Sequence, residues 1–236
     1  MTIDPRAVVA ANNNADLYEA VFSAHQAHYE RLPHAFVAID QPPPYYSHFT
    51  ILTDDHAEKV SQSFMKVMER FSGDAGMKDS FCQTSEVANN LRVLFGASWI
   101  WRDVQSAAPR EGWSRVTSAD DLQLWEQAWK LNGSPTDVRM FNERFLARED
   151  IFVFGQKRDG VYVSGCIGNL SNDCIGISNI FSAGDGKQAA REAVAAVGSI
   201  APDLPMVGYE AGEELDTMRG LGFEVVGQLR ILVPAS

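Results

Sequence analysis

The sequence predicts a mixed α/β (α+β) fold, in which helices flank a mostly antiparallel central sheet. Runs rich in β-branched and aromatic residues alternate along the chain with stretches whose apolar residues recur at helical spacing. In the second half, three strand-like runs follow one another with only turn signals between them, which is typical of antiparallel neighbours. Hydrophobic residues make up 45% of the 236 residues, so the chain can bury a large core.

The first half begins with residues 1 to 14, which we expect to form a loose end. Beyond them, helices are predicted where apolar residues share one helical face, and strands where branched and aromatic residues cluster. A rigid extended connector is expected at Gln41–Pro44, because it contains three consecutive prolines. The predicted helices are Asp16–Tyr29, Glu58–Phe71 and Ser85–Leu94, and the predicted strands are Ala35–Ile39, Tyr45–Leu52, Met77–Cys82 and Phe95–Val104.

The second half follows Ser106–Gly112, a stretch whose composition predicts a linker. We therefore expect two domains, residues 1–105 and 106–236. Thr117 to Asp120 form a helix-capping signal, and the helix that follows ends before Gly133. The other predicted helices are Asp137–Ala147, a helix from Lys187 through Ile200, and Gly212–Leu221. The predicted strands are Trp113–Val116, Ile151–Gln156, Val161–Leu170, Cys174–Ser182, Pro205–Tyr209 and Phe223–Val233.

An internal repeat is suggested by the order of these elements. Tyr45–Val104 reads β-α-β-α-β, and Cys174–Val233 reads the same. We interpret the match as a duplication, with chance recurrence of common αβ units as the alternative.

Charge, hydropathy and cysteine content together exclude several classes of function. The net charge is −11, with 8 basic and 13 acidic residues before Ser106 and 12 basic and 18 acidic residues from it onward. Neither half has the basic balance of a nucleic-acid-binding protein. No apolar run is long enough to span a membrane, and no secretion signal is recognisable at the N-terminus. The three cysteines lack metal-ligand spacing and are typical of reduced thiols in a cytoplasmic protein.

A glycine turn, Ser182-Ala183-Gly184-Asp185-Gly186, connects a predicted strand to a predicted helix. Amide groups at a helix N-terminus lack internal partners, and the helix dipole favours negative charge there. The turn is therefore a candidate anion site. The alternative is a plain connection between a strand and a helix.

The element order from Trp113 to Val233, together with this turn, resembles the GNAT superfamily of N-acetyltransferases. In that family the fourth strand leads into a (Gln/Arg)-x-x-Gly-x-(Gly/Ala) turn, which holds the pyrophosphate of acetyl-CoA. Here the corresponding stretch is Phe181–Gly186, in which both glycines match and Phe181 replaces the leading Gln or Arg. Gly222-Phe223 also matches a turn of the family near the end of the fold.

The resemblance implies acetyl-CoA as co-substrate. It assigns cofactor binding to the turn and the residues beside it: Ile180, Phe181, Ser182, Ala183, Gly184, Gly186, Lys187 and Gln188. Asp185 is expected to cap the helix and to compete with the pyrophosphate. In the first half, the corresponding junction at Ile51–His56 has two carboxylates and no glycine. We therefore expect a degenerate GNAT-like repeat there that binds no CoA.

Acyl transfer to an amine needs a base for the amine and an acid for the leaving thiolate. A frequent acid in the family is a tyrosine four residues before the glycine of Gly-Phe, and that position is Met218 here, which cannot donate a proton. The candidates that remain are Glu210 and Tyr209. The alternatives are a helix-start carboxylate for Glu210 and a core or pocket-wall role for Tyr209.

In the family, two helices flank the acceptor pocket, and the fourth and fifth strands splay apart so that the thioester and pantetheine fit between them. The resemblance therefore suggests Trp125, Trp129 and Asn179 as substrate-binding residues. Aromatic residues at helical spacing more often belong to the core, and this alternative stays open for both tryptophans. His25 and His28 share a helix face without a third ligand, so no metal site is predicted.

Two hypotheses of function follow. The first is an acetyl-CoA-dependent N-acyltransferase that acts on the amine of a small molecule. The second is a catalytically degenerate GNAT-like module that binds a metabolite or a partner, because Phe181, Asp185 and Met218 depart from the family pattern. The first half could in addition form the surface of a homodimer.

Overall fold

The computed structural model describes residues 3–85, 90–104 and 112–235 and has the predicted mixed α/β architecture. The helices are α1 (Pro5–Ala24), α2 (Ala57–Arg70), α3 (Ala119–Leu131), α4 (Glu143–Leu146), α5 (Gly186–Gly198) and α6 (Gly212–Gly220). The strands of the first half are β1 (Tyr29–Arg31), β2 (Ala35–Ala38), β3 (Phe49–Ile51), β4 (Met77–Asp79) and β5 (Leu91–Arg102). Those of the second half are β6 (Trp113–Arg115), β7 (Ile151–Arg158), β8 (Val161–Leu170), β9 (Ile175–Ser182), β10 (Met206–Glu210) and β11 (Glu224–Pro234).

All these strands form one sheet of 11 strands in the order β1-β2-β3-β4-β11-β5-β10-β9-β8-β7-β6. The pairing is antiparallel except between β3 and β4 and between β9 and β10. The strands of the two halves alternate at the centre, because β11 lies between β4 and β5, and β5 lies between β11 and β10. The predicted boundary between residues 105 and 106 falls outside the described residues, and the division into two domains stays a prediction.

Helices cover both faces of the sheet. Alternation along β2 shows the layers: Phe36 packs against the side chains of α1, and Val37 packs against those of α2. In the second half, α3 and α4 lie with α1 over one face, and α5 packs on the opposite face of β9. A strand that is buried on both faces has little need of strict alternation between polar and apolar residues.

The expectation of a loose end at residues 1–14 is wrong. Helix α1 begins at Pro5, and the Asp4 carboxylate caps it by accepting a hydrogen bond from the Arg6 amide at 2.9 Å. The buried face of its first half consists of alanines and Asn13, which packs through hydrogen bonds to the Asn169 carbonyl and the Ser171 hydroxyl. The helical spacing of large hydrophobic residues cannot reveal a buried helix face that consists of alanines and one asparagine.

Other predicted elements also differ in the structure. The predicted helix Asp137–Ala147 contains only α4, because the buried Glu126 carboxylate holds the preceding loop by accepting from the Met140 amide at 2.6 Å. The predicted helix Ser85–Leu94 extends over residues 86–89, which lie outside the described residues, and its last four residues belong to β5. They pair with the end of β11. Strand β1 was not predicted at all.

Candidate functional site

A gap between β9 and β10 organises the candidate site. The two strands pair only at Ile175–Met206 and Gly176–Val207, whereas β10 stays paired with β5 as far as Glu210. Gly208 is the last close approach, because a Cβ atom there would lie 2.8 Å from the Ile177 carbonyl oxygen. Beyond Gly208 the strands separate and leave backbone edges that other groups can reach.

A β-bulge shapes the β9 side of this gap. The register with β8 shifts between the Gly165–Phe181 pair and the Ile167–Ser178 pair, which places one extra residue on β9. Asn179 lies in the shifted segment and adopts a left-handed backbone with φ of 54°. Asparagine tolerates this conformation better than most residues, and bulges of this kind redirect side chains next to sites.

Two cavities meet at the gap. The first has a volume of about 300 Å³ and lies on the α1 face, with walls that include Asn14, Tyr18, Trp129, Asn179, Tyr209 and Glu210. The second has a volume of about 530 Å³ and lies on the α5 and α6 face, with walls that include Ser182, Gly184, Gly186, Lys187, Glu214 and Met218. Ile180 and Glu210 line both. A group bound in one cavity can therefore approach a group bound in the other at Glu210.

Glu210 is the titratable residue at this junction. It ends β10 and is half-buried. Burial, with a smaller contribution from the Glu214 carboxylate, raises its pKa to about 7. A carboxyl group with such a pKa can take up and release a proton near neutral pH, which is the property that a general base needs.

Tyr209 lies on the α1 face in the first cavity, with its ring packed edge-on against Trp99 at 5.5 Å between centroids. The Lys78 ammonium lowers the pKa of the Tyr209 phenol, but burial and the neighbouring Tyr18 and Glu210 outweigh it, so the pKa is raised. The phenol is therefore protonated near neutral pH and can donate a proton.

The glycine turn lines the second cavity with Ser182, Gly184, Asp185 and Gly186, and the Gly184 amide donates to the Ser182 hydroxyl at 3.1 Å. A Cβ atom at Gly184 or Gly186 would meet no atom within 4 Å, and neither glycine has a positive φ, so the fold itself does not require glycine there. Asp185 caps α5 as predicted, because its carboxylate accepts hydrogen bonds from the amides of Lys187 at 2.9 Å and Gln188 at 3.1 Å. These two amides are unavailable to an anion while the cap persists.

The second cavity is also acidic. Asp185, Glu210, Glu213 and Glu214 line it, and Lys187 is the cation that the described residues place in its wall. An anionic ligand would therefore be bound against repulsion from these carboxylates.

The structure separates the predicted site residues into groups. Ile180, Ser182, Gly184, Gly186 and Lys187 line the second cavity, and Trp129, Asn179, Tyr209 and Glu210 line the first. Ala183 and Gln188 lie at the outer side of the turn, in a third and shallower depression of about 160 Å³.

Phe181 and Trp125 belong to the core. Their side chains are 3% and 0% exposed and pack edge-on at 5.2 Å between centroids, over Gly165. The Trp125 indole donates to the Phe154 carbonyl at 2.8 Å. We therefore leave Trp125 out of the proposed acceptor site, whereas Phe181 also lines the second cavity. Met218 is also buried, so it supplies an apolar wall where the family has a tyrosine.

Several residues of the first cavity were not predicted. Asn13 and Asn14 come from α1, at positions where a loose end was predicted, and Tyr18 follows one turn later. Lys78 lies behind them and is fully buried. The run of three asparagines beside alanines was the signal in the sequence for this polar wall, because amide side chains within a helix usually form hydrogen bonds with nearby groups.

Histidines do not contribute to either cavity in the parts of the chain that the structure describes. His25 contacts the Met140 carbonyl and His28 contacts Asp40, so the two imidazoles have separate partners. Within residues 3–85, 90–104 and 112–235, no three His, Cys, Asp or Glu side chains are arranged to hold a metal ion.

Solved structures show which fold this is. The chain is similar to a GCN5-related N-acetyltransferase from Kribbella flavida, with a TM-score of 0.62, 12% identity and coverage of 97% of this chain and 96% of that one. A GCN5-related N-acetyltransferase from Sphaerobacter thermophilus gives a TM-score of 0.55 and 11% identity, covering 96% and 90%. N-myristoyltransferase from Saccharomyces cerevisiae with bound myristoyl-CoA gives 0.56 and 9%, covering 85% and 63%. No protein-family model and no curated protein matches the sequence. The chain therefore has the GNAT fold.

Proposed function

We propose that the protein is an acetyl-CoA-dependent N-acyltransferase that acts on the amine of a small molecule. One observation carries the proposal: Glu210, with a pKa of about 7, lies where the two cavities meet across the gap between β9 and β10. The amine would occupy the first cavity and the acyl donor the second. Neighbours with the same fold support an acyl-CoA donor, since one of them holds myristoyl-CoA.

The roles of the residues follow from their positions. When bound, acetyl-CoA supplies the thioester whose acyl group is transferred. The Glu210 carboxylate removes a proton from the acceptor ammonium, and the Tyr209 phenol can donate a proton to the leaving thiolate. Trp129 and Asn179 form part of the acceptor wall. We expect the backbone of Ile180–Gly186 and the Lys187 ammonium to hold the donor, and Ala183 and Gln188 to support the turn.

The donor cavity fits a CoA pyrophosphate only in part. Gly184 and Gly186 leave open space beside the helix N-terminus, which suits close approach by a phosphate. The Asp185 cap and the acidic wall oppose it. The second candidate, a degenerate GNAT-like module that binds a metabolite or partner, is favoured by these two features and by the buried Met218.

Gly186→Glu tests the donor site. The glutamate would project into open space at the first turn of α5, where a negative charge stabilises a helix, so the variant should fold as the wild type does. We expect calorimetry with acetyl-CoA to show binding to the wild type and none to the variant. Gly220→Glu is a matched control, because a Cβ atom there also meets no atom within 4 Å and neither Gly220 nor its chain neighbours line the two cavities. Absence of acetyl-CoA binding to the wild type at millimolar concentration would reject the proposal in favour of the binding module.

Asp185→Asn should strengthen CoA binding. Asparagine caps a helix about as well as aspartate does, so stability should stay within a few tenths of a kcal/mol. Removal of one carboxylate beside the pyrophosphate should raise the affinity for CoA about three- to tenfold in calorimetry. Asp216→Asn is the control, because that exposed carboxylate on α6 lies outside both cavities. An unchanged affinity in Asp185→Asn would show that the negative charge of Asp185 does not oppose binding of the ligand.

The remaining expectations stay proposals. We infer a degenerate first half that binds no CoA, and a homodimer formed through it, which sizing in solution would test. All three cysteines are free thiols, in keeping with a reducing compartment such as the cytoplasm. Among the described residues, no helix has the length and apolar character needed to cross a membrane.

A further inference from the structure

A buried lysine lies behind the wall of the acceptor cavity. Lys78 belongs to β4, is 0% exposed, and points to the α1 side of the sheet. Its Nζ atom lies 4.5 Å from the centroid of the Tyr209 ring and 4.8 Å from that of Tyr18. Both tyrosines line the first cavity, as does Asn14, the acceptor of the Lys78 ammonium. The cation is thus separated from the cavity by one layer of side chains.

This cation has no acidic partner among the described residues. Its short hydrogen bond goes to the neutral Asn14 Oδ1 at 2.7 Å, and the rings and phenol groups of Tyr18 and Tyr209, together with the Trp99 ring, surround the rest of the ammonium. Burial lowers the pKa of Lys78, but the phenol groups of Tyr18 and Tyr209 more than offset burial, so the pKa is raised and the group keeps its proton. A buried charge without a counter-charge is costly, and a bound anion nearby would compensate it.

Lys78 also fixes the orientation of Asn14. An ammonium group only donates hydrogen bonds, so the Asn14 atom that it contacts must be the carbonyl oxygen Oδ1. The Nδ2 amide, for which the described part of the protein provides no acceptor, is then the polar end of Asn14 that remains for a ligand. Its two donors suit a carboxylate better than an ammonium.

The wall of the acceptor cavity consequently combines two unlike groups. Glu210 lies at the junction with the donor cavity and attracts an amine, and Asn14, backed by Lys78, provides donors and positive potential. A ligand that complements both groups carries an amine and a carboxylate.

We propose that Lys78 and Asn14 form a carboxylate subsite, so that the acceptor is an amine that also carries a carboxylate, as an amino acid does. The choice of acceptor rests on the proposed function, whereas the subsite itself does not require the acyl donor. Lys78 acts here as a positioning residue, through Asn14 and through the potential that it contributes to the cavity.

The test is a binding measurement without CoA. Calorimetry compares L-phenylalanine with L-phenylalaninamide, two amines that differ in the carboxylate and whose ring suits the aromatic wall. We expect the wild type to bind the acid at least about tenfold more tightly than the amide, as for a charge-assisted hydrogen bond. Lys78→Met should abolish this preference. Lys66→Met, the same change on the exposed face of α2, should leave it intact.

Asn14→Asp keeps the test decisive if Lys78→Met does not fold. It gives Lys78 a carboxylate partner inside the protein, which should preserve stability while it repels a carboxylate ligand. Equal affinity for acid and amide in the wild type would overturn the inference, and so would a preference that survives in both variants.

Turnover distinguishes this inference from the proposed function. Acetylation of acid and amide with equal efficiency, without preferential binding of the acid, would reject the subsite and retain the acyltransferase. Preferential binding of the acid, with no acetylation of any amine tested, would retain the subsite and reject the acyltransferase.

Discussion

Glu210→Gln is expected to lower kcat/KM for acyl transfer by about 10²- to 10⁴-fold, the range that a general base contributes. Glutamine keeps the size of the side chain but cannot accept the proton of the amine. The measurement is release of free CoA thiol with a saturating acyl donor, at several pH values. Calorimetry should show a donor affinity in the variant at least as high as in the wild type, because Glu210 is one of the carboxylates in the wall of the donor cavity; this result separates a loss of base from a collapse of the junction.

The pH dependence of kcat/KM tests the role of Glu210 as a base. The base works when deprotonated, so kcat/KM of the wild type should rise with pH through the Glu210 pKa of about 7 and then level off. Glu214→Gln removes one of the two causes of the raised pKa and should move this rise to lower pH. If kcat/KM of Glu210→Gln still rises over the same pH range as in the wild type, Glu210 is not the titrating group.

Glu210 should lower the stability of the folded protein in the pH range in which its carboxylate acts as a base. Its pKa is raised in the folded protein above 4.5, so the folded state favours the protonated form. Its contribution is most favourable below about pH 4.5 and is lost as pH rises through about 7. Glu210→Gln should therefore melt at a higher temperature than the wild type in alkaline buffer, with little difference in acid.

Trp125→Ala is expected to lower the free energy of unfolding by about 3 to 5 kcal/mol, as for other fully buried large aromatic residues. The indole is 0% exposed, packs against Phe141 and Phe181, and donates to the Phe154 carbonyl. Chemical denaturation measures the loss. In the folded fraction, acceptor KM should change by less than about twofold, because Trp125 does not line the acceptor cavity.

Trp129→Phe is the matched comparison on the same helix. Trp129 lines the acceptor cavity, and its ring packs edge-on against Tyr45 at 6.0 Å between centroids. The smaller ring should change acceptor KM several-fold with a smaller loss of stability. If Trp125→Ala raised KM more than Trp129→Phe did, the assignment of Trp125 to the core would be contradicted.

The sequence predicted the fold because its signals are local. Asp185 before Gly186 is a capping pattern that requires no knowledge of distant residues, and α5 begins where that pattern places it. The three strands that precede α5 follow from turn signals between branched runs. The glycine turn and the end of β10 could be located for the same reason, since each lies at the end of a recognisable element.

The acceptor cavity could not be predicted because its polar residues come from distant elements. Asn14 and Lys78 are 64 positions apart and meet only because α1 crosses the sheet above β4. A lysine within a short apolar strand predicts an edge or a solvated face, and here it is buried instead. Trp125 shows the reverse case, since helical spacing cannot say whether an aromatic ring faces a cavity or the core.

The central position of β5 constrains how the protein can be made. Both neighbours of β5, β10 and β11, are synthesised more than 100 residues after it. At ordinary translation rates the twelve residues of Leu91–Arg102 wait on the order of ten seconds before either partner leaves the ribosome. During that time both edges of the strand are open to pairing with other nascent chains. A fragment that ends before Met206 should therefore aggregate or bind chaperones, although it carries nearly nine-tenths of the chain.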